Sequence, residues 1–249
     1  MKLKPFEDDI LTDSKFHLAR RDSRAYIDML RYVHQFKIVN KNFLAGHKIE
    51  PEHRILMVNW LCEVISKCDL SMDTYFQSVQ IMDRYYKCCG EHKITPSADE
   101  LHLIGVSALF IANKYNDYKN LTTDFIVEHV LHGKFTETAI MNLEERMLRE
   151  IDYKLGLPTE RTFIGIYELL LGDITEIQAE SIERQSQINL HSYVLSQCDP
   201  ALLAAGTMHY ILKSSSLMTP LCQLSRYPEG DIKKMTETIS RESKMVNEQ

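Results

Sequence analysis

The strongest constraint on this chain is the stretch Leu101 to Tyr115, LHLIGVSALFIANKY, apolar or small at almost every position right round a helical wheel. A helix without a polar face cannot lie at a surface, so other helices must surround it. It is too short to span a bilayer, and it carries His102. Gly105, Ser107, Ala108 and Ala112 have little side chain, which lets neighbouring backbones approach. Ser97 and Glu100 stand ahead of it at capping-box spacing, and Pro96 ends whatever comes before. The expectation is the central helix of an all-α domain.

Periodicity on either side extends that reading. Tyr26, Ile27, Met29, Leu30 and Val33 recur at helical spacing between about Arg21 and Lys37, behind a loose polar arm over residues 1–20. Pro51 sits where the first turn of a helix tolerates it, and Arg54 to Cys68 follows as an apolar helix. Ser71 to Tyr86, the central helix, Thr122 to Leu131 and Thr136 to Ile151 complete five helices, a compact bundle. After Gly156-Leu157-Pro158 the pattern restarts with Thr159 to Leu171, ended by Gly172. Thr175 and Gln178 cap a helix to about Ser196; Asp199-Pro200 opens ALLAAGTMHYILK; a last helix runs from about Glu229 to Lys244. The Ala204-Ala205-Gly206 helix is third in its set, as the Gly105–Ala108 helix is in the first, which suggests a degenerate internal duplication. The expected division is an N-terminal arm and helix (1–45), a first bundle (46–156) and a second (157–249).

Composition narrows the chemistry. The chain is 44% apolar and 26% charged, as in an ordinary globular protein. A net charge of −6 and a pI near 5.9 argue against a nucleic-acid-binding surface. Cys62, Cys68, Cys88, Cys89, Cys198 and Cys222 lack metal-type spacing and read as reduced, mostly buried thiols of a nuclear or cytosolic protein. No secretory signal or transmembrane segment is expected. With no basic import cluster, nuclear entry is expected to depend on a partner. A glycine-rich phosphate loop, G-x-S-x-G and H-E-x-x-H are all missing from the sequence. His129 and His132 are three apart but read as surface histidines. The expectation is a non-enzyme with no catalytic residue, metal or cofactor.

Two ionisable residues stand inside apolar runs. Arg54 precedes Ile55-Leu56-Met57-Val58, and Asp83 follows Ile81-Met82. An unpaired charge there is costly, so the two are expected to form a structural ion pair between helices. Lys114, at the end of the central helix, reads as a cation favoured by the helix dipole. Glu144 reads, from the residues alone, as a solvated carboxylate.

In order, these pieces resemble the cyclin family, closest to the mitotic B-type and A-type members. HRILMVNWLCEV is similar to the family's M-R-A-I-L-x-D-W-L, with Arg54, Trp60 and Leu61 in register. IMDRYY resembles I-D-R-F, and LHLIGVSALFIANKYND resembles L-Q-L-V-G-x-x-A-M-F-I-A-S-K-Y-E-E. LEERMLREIDYKLGLPT follows the fifth-helix pattern, with Glu144 at the family glutamate and Pro158 opening the second box. NFLAGHKI is similar to the linker before the first box. The likeness runs from about Arg24 to Thr159 and is faint beyond.

The resemblance implies an all-α fold of two tandem five-helix cyclin boxes behind an N-terminal helix. It also implies a regulatory subunit, nuclear and cytoplasmic, that binds a cyclin-dependent protein kinase and stabilises its active C-helix and activation segment in mitotic cell-cycle control. Tyr26, Met29, Lys114, Tyr115, Glu144, Leu148, Tyr153 and Leu155 fall at kinase-binding positions. His53, Leu56, Met57, Trp60, Glu63 and His102 fall at a docking patch for Arg-x-Leu segments of substrates or inhibitors, with Glu63 set to pair the arginine. There His53 replaces a methionine and His102 a glutamine, which makes the groove more polar and pH-sensitive. Asn59 replaces an aspartate, and Asn116-Asp117 a Glu-Glu pair. Neither nucleic acid nor membrane is an expected partner. The alternatives are a transcriptional or nutrient-linked cyclin, a DNA-binding adaptor of the transcription-initiation type, and a helical metal-binding bundle using Glu144 and Glu145. The adaptor would need a basic face, and the metal bundle would need Glu-x-x-His repeats.

Overall fold

The computed structural model describes residues 20–36 and 40–247, which leaves the arm before Arg20 outside the described residues. Among the described residues there are eleven α-helices and no strand. They are α1 (Arg20–Val33), α2 (Pro51–Cys68), α3 (Met72–Glu91), α4 (Leu101–Asn116), α5 (Thr123–Phe125), α6 (Glu137–Glu150), α7 (Glu160–Leu171), α8 (Glu176–His191), α9 (Pro200–Leu212), α10 (Met218–Ser225) and α11 (Glu229–Asn247). A single π turn, Ile126–Val130, continues α5. The all-α, two-box expectation holds, with five helices in each box.

The described chain falls into two compact units, one over residues 40–156 and the other joining α1 to the chain from Leu157 onward. Helix α1, set apart by the sequence within residues 1–45, thus groups with the second box. Ile27, Leu30 and Val33 share a buried cluster there with Phe163, Ile166 and Tyr167. His34 donates its Nε2–H to the Leu224 carbonyl (2.8 Å). Burial pulls its imidazolium down to about 4, so the ring is neutral at pH 7.

In the 40–156 unit α4 is the centre, as its composition requires. Leu103 to Asn113 are all buried, with α2, α3 and α6 packed around them. The role expected of Gly105 needs correcting. A Cβ there would lie 2.5 Å from Met57 Cε, so a methionine side chain of α2, not a neighbouring backbone, fills the notch. The capping box at Ser97 and Glu100 is present, closing a 3₁₀ turn ahead of α4. Helix α3 runs on to Glu91, past the expected end at Tyr86, and takes in Cys88 and Cys89. Both are free thiols, pushed up by burial (Cys89 to about 11), which disfavours the reactive thiolate.

In the second unit α9 holds the equivalent place, against α7, α8, α10 and α11. A Cβ on Gly206 would come within 2.5 Å of Met235 Cγ from α11. Thr175 and Asp199 cap their helices as their spacing predicts. Helix α10 is the element the periodicity missed. Its Pro220 reads as a breaker but sits in the first turn, where no backbone N–H is needed. A buried polar cluster ties this unit together. Asn189 Nδ2 donates to Glu160 Oε1 (2.8 Å), Thr207 Oγ1 donates to the same oxygen (2.6 Å), and Gln185 donates to Ser243 Oγ (2.7 Å).

Candidate functional site

Lys114 and Glu144, thirty positions apart, meet at the rim of the first box. Lys114 ends α4 and Glu144 lies midway along α6, where those helices pack together. The Lys114 ammonium donates to Glu144 Oε1 and lies 4.0 Å from the centroid of the Phe110 ring one turn back. The lysine side chain is 37% exposed and the glutamate 15%, so Glu144 is not the solvated carboxylate that its helix alone suggests. The pair is oriented by an aromatic face and open on one side, which leaves charge and donors available to another protein.

Next to this pair runs the segment Ile151–Gly156. Leu148 lies one turn past Glu144 and is half-buried; its carbonyl accepts from the Tyr153 amide (2.9 Å). Tyr153 is exposed and Leu155 half-buried. Tyr115, also exposed, lays its hydroxyl over Gly156, where a Cβ would come within 2.5 Å of it. Five of the expected kinase-binding residues besides Glu144, namely Lys114, Tyr115, Leu148, Tyr153 and Leu155, therefore belong to one connected surface of the 40–156 unit. Tyr26 (half-buried) and Met29 (exposed) lie on α1 in the other unit.

Two residues not singled out in the sequence hold that segment, Arg84 and Gln77. Arg84, buried in α3, donates from Nη1 to the Lys154 carbonyl (2.5 Å) and from Nη2 to the Ile151 carbonyl (3.2 Å). Gln77 donates to the Leu155 carbonyl (2.6 Å) and accepts from Asn116 Nδ2 (3.0 Å). The available signal was Arg84 inside the same apolar run as Asp83. Asn116-Asp117, read as a departure from a Glu-Glu pair, has its own work. Asp117 accepts from Ser71 N–H (3.2 Å), Thr74 Oγ1 (2.6 Å) and Asn113 Nδ2 (3.1 Å), which joins the start of α3 to the end of α4. Burial would raise its carboxyl, but those hydrogen bonds outweigh it and hold the group below the usual range.

The expected ion pair lies beneath. Arg54 Nε and Nη2 donate to Asp83 Oδ1 (2.8 Å) and Oδ2 (2.7 Å), with both side chains almost completely buried. Burial pushes the Asp83 carboxyl up and the guanidinium pulls it back. This fork-to-fork geometry compensates both charges.

The outer side of α2 divides the expected docking patch. Leu56 is 67% exposed, Glu63 is exposed beside Lys67 (3.6 Å), and Trp60 is half-buried with its ring edge-on to His102 (centroids 4.4 Å). Met57 does not belong with them: it is 5% exposed and fills the Gly105 notch. Nor does His53 simply line a groove, because its Nδ1 accepts from the Glu50 amide (3.2 Å) at the start of α2. Burial, with Lys134 nearby, lowers the His102 imidazolium from its ordinary range.

Among the described residues no three metal-ligating side chains converge, and no helix is long and apolar enough to cross a membrane. His129 packs on Phe125 (centroids 5.0 Å), and His132 occupies a left-handed turn (φ 50°).

Comparison with known proteins adds to this geometry. Residues 26–156 match the family model for the N-terminal domain of cyclins. The chain is 24% identical over 216 residues to a G2/mitotic-specific cyclin-B of Patella vulgata, covering 85% of this chain and 51% of that protein. It is 30% identical over 184 residues to the G2/mitotic-specific cyclin-B2 of Bos taurus, covering 72% and 44%. The chain thus spans about half the length of the curated relatives it matches. In fold it is similar to the X-ray structure of a viral cyclin from herpesvirus saimiri, with a TM-score of 0.75 at 15% identity over 88% of this chain and 97% of the other. Since the family match takes in just over half of its length, the chain belongs to the cyclin family, nearest to the B-type members.

Proposed function

We propose that this cyclin is the regulatory subunit of a cyclin-dependent serine/threonine protein kinase, which it activates in mitotic control. It supplies no catalytic group. It binds the kinase conformation whose C-helix is swung inward, and so shifts the population toward the state in which the kinase's catalytic Lys–Glu pair is complete. The observation that carries this reading is the Lys114–Glu144 pair, open to solvent on its lysine side, beside Tyr115, Leu148, Tyr153 and Leu155. It is a charged, hydrogen-bonding centre beside exposed and half-buried aromatic and aliphatic side chains, of the kind that anchors protein interfaces. Tyr26 and Met29 on α1 are proposed as a second contact. The mitotic assignment is supported by the names of the B-type relatives. Leu56, Trp60 and Glu63 are proposed as a separate docking surface for Arg-x-Leu segments, on the ground of the exposed Leu56 and Glu63 flanking the half-buried Trp60 along α2.

The test is co-purification with a panel of recombinant cyclin-dependent kinases, followed by histone phosphorylation. The parent chain is expected to bind and activate at least one kinase. Lys114→Glu places two carboxylates together at the centre of the surface and should abolish capture, with the helical circular-dichroism signal unchanged. Undiminished capture by the variant overturns the assignment.

A further inference from the structure

Tyr153 and Leu155 are carried by a backbone in an unfavourable shape. Asp152 and Tyr153 both adopt left-handed φ values, 56° and 53°, which side chains other than glycine's disfavour. Such a conformation persists only where its surroundings over-determine it. Here three carbonyls of the segment are fixed by side chains of α3. The guanidinium of Arg84 grips the carbonyls of Ile151 and Lys154, and Gln77, itself held by Asn116 of α4, takes the Leu155 carbonyl. Tyr115 closes the far end over Gly156.

Arg84 itself is 8% exposed, and among the described residues no carboxylate lies within ion-pair distance of it. Its charge is instead balanced by backbone carbonyls at the C-terminal end of α6, the negative end of that helix's dipole. A buried arginine without a carboxylate is a poor way to stabilise a core, where an apolar side chain of like volume would serve better. What the guanidinium supplies, and an apolar residue cannot, is a rigid fork that fixes two carbonyls at once.

We propose that Arg84, with Gln77 and Asn116, is the positioning element that holds residues 151–155 in their partner-binding shape before the kinase arrives. This rests on the kinase-facing reading of Tyr153 and Leu155. The gain is preorganisation: the segment meets its partner already ordered, so association is not charged with ordering it.

Two variants test it. Arg84→Lys keeps the cation but cannot span two carbonyls, and Gln77→Leu, the milder change, removes the bond to the Leu155 carbonyl and the one from Asn116. Each is compared with the parent for the concentration that half-activates the kinase, for maximal kinase activity, and for amide hydrogen exchange. The expected result is roughly a tenfold higher half-activating concentration for Arg84→Lys and a smaller rise for Gln77→Leu. Maximal activity at saturation should be unchanged, with faster exchange confined to residues 151–155. Unchanged exchange in that segment overturns the proposal, as does an unchanged half-activating concentration despite faster exchange. Faster exchange throughout residues 40–156 in both variants would mark the residues as structural only. A parent chain that activates no kinase instead sinks the function proposed above and the partner role with it, while the exchange data still decide whether Arg84 holds the segment.

Discussion

Glu160 is the residue whose replacement should alter the response of this protein to pH most directly. It is the first residue of α7, yet its side chain points into the second box and is 5% exposed. Oε1 accepts from Asn189 and Thr207, while Oε2 has no hydrogen-bond partner. Burial pushes the carboxyl up to about 8, against the pull of Thr207 and Asn189, from an ordinary value of 4.5. The neutral acid is therefore the form the fold accommodates.

The sign of the linkage follows. Below pH 4.5 the group is protonated in folded and unfolded chains alike, and its contribution to stability is complete. Between 4.5 and about 8 the unfolded chain releases a proton that the folded one retains, so each pH unit costs the folded state about 1.4 kcal/mol. Over that interval the loss reaches roughly 5 kcal/mol, and above it the curve is flat. Glu160→Gln keeps the shape and an acceptor for Asn189 and Thr207 but cannot ionise. Urea unfolding of both chains, followed by far-ultraviolet circular dichroism from about pH 5 to about pH 9, gives the difference curve, in which other titrating groups cancel. The variant should gain on the parent steadily as pH rises and hold its lead above about 8. Two curves separated by a constant offset would refute the reasoning.

Two further expectations concern the first box. Asp83→Asn leaves the Arg54 charge buried without its counter-ion and should cost about 3–5 kcal/mol in urea unfolding, whereas replacing the pair together by Met and Leu should restore most of it. Gly105→Ala drives a methyl group against Met57 and should lower stability by about 1 kcal/mol, overpacking outweighing the better helix propensity of alanine. Adding Met57→Ala should cost less in that background than in the parent, and a Gly105→Ala chain that melts higher than the parent would contradict the tight contact.

What could be read in the sequence was whatever burial alone dictates. Leu101 to Tyr115 had to be central, and Arg54 and Asp83 had to find each other, because each statement has no inexpensive alternative. The Lys114–Glu144 pair was not legible on physics, since a helix-end lysine and a glutamate among several on α6 are each content in water; only the family resemblance joined them. Helical phase was lost where a helix is apolar all round, so neighbouring Leu56 and Met57 could not be told apart, although one faces solvent and the other the core. Arg84 escaped for another reason. Its partners are carbonyls, which every residue carries, and no side-chain pattern reports them. Glu160 was hidden by looking ordinary, because an acidic residue in the first turn of a helix is where the dipole favours one.

The faintness of the second box has a physical cause that the two central helices expose. Gly105 on α4 and Gly206 on α9 each open a notch, and each notch is filled by a methionine. In the first box Met57 comes from the opening helix, α2; in the second Met235 comes from the closing helix, α11. The same volume is thus supplied from opposite ends of the repeat. The buried polar groups differ in the same way: a charged pair bridges α2 and α3 in the first box, whereas in the second a carboxylic acid on α7 is shared with an asparagine on α8 and a threonine on α9. Close packing demands that space be filled and donors be matched, and it is indifferent to which residue does so. Two boxes held only by those two demands can keep matching helices while their motifs differ. The motifs remain legible in the 40–156 unit, where the proposed kinase-facing surface around Lys114, Glu144 and the segment held by Arg84 would require particular side chains and not merely a filled interior.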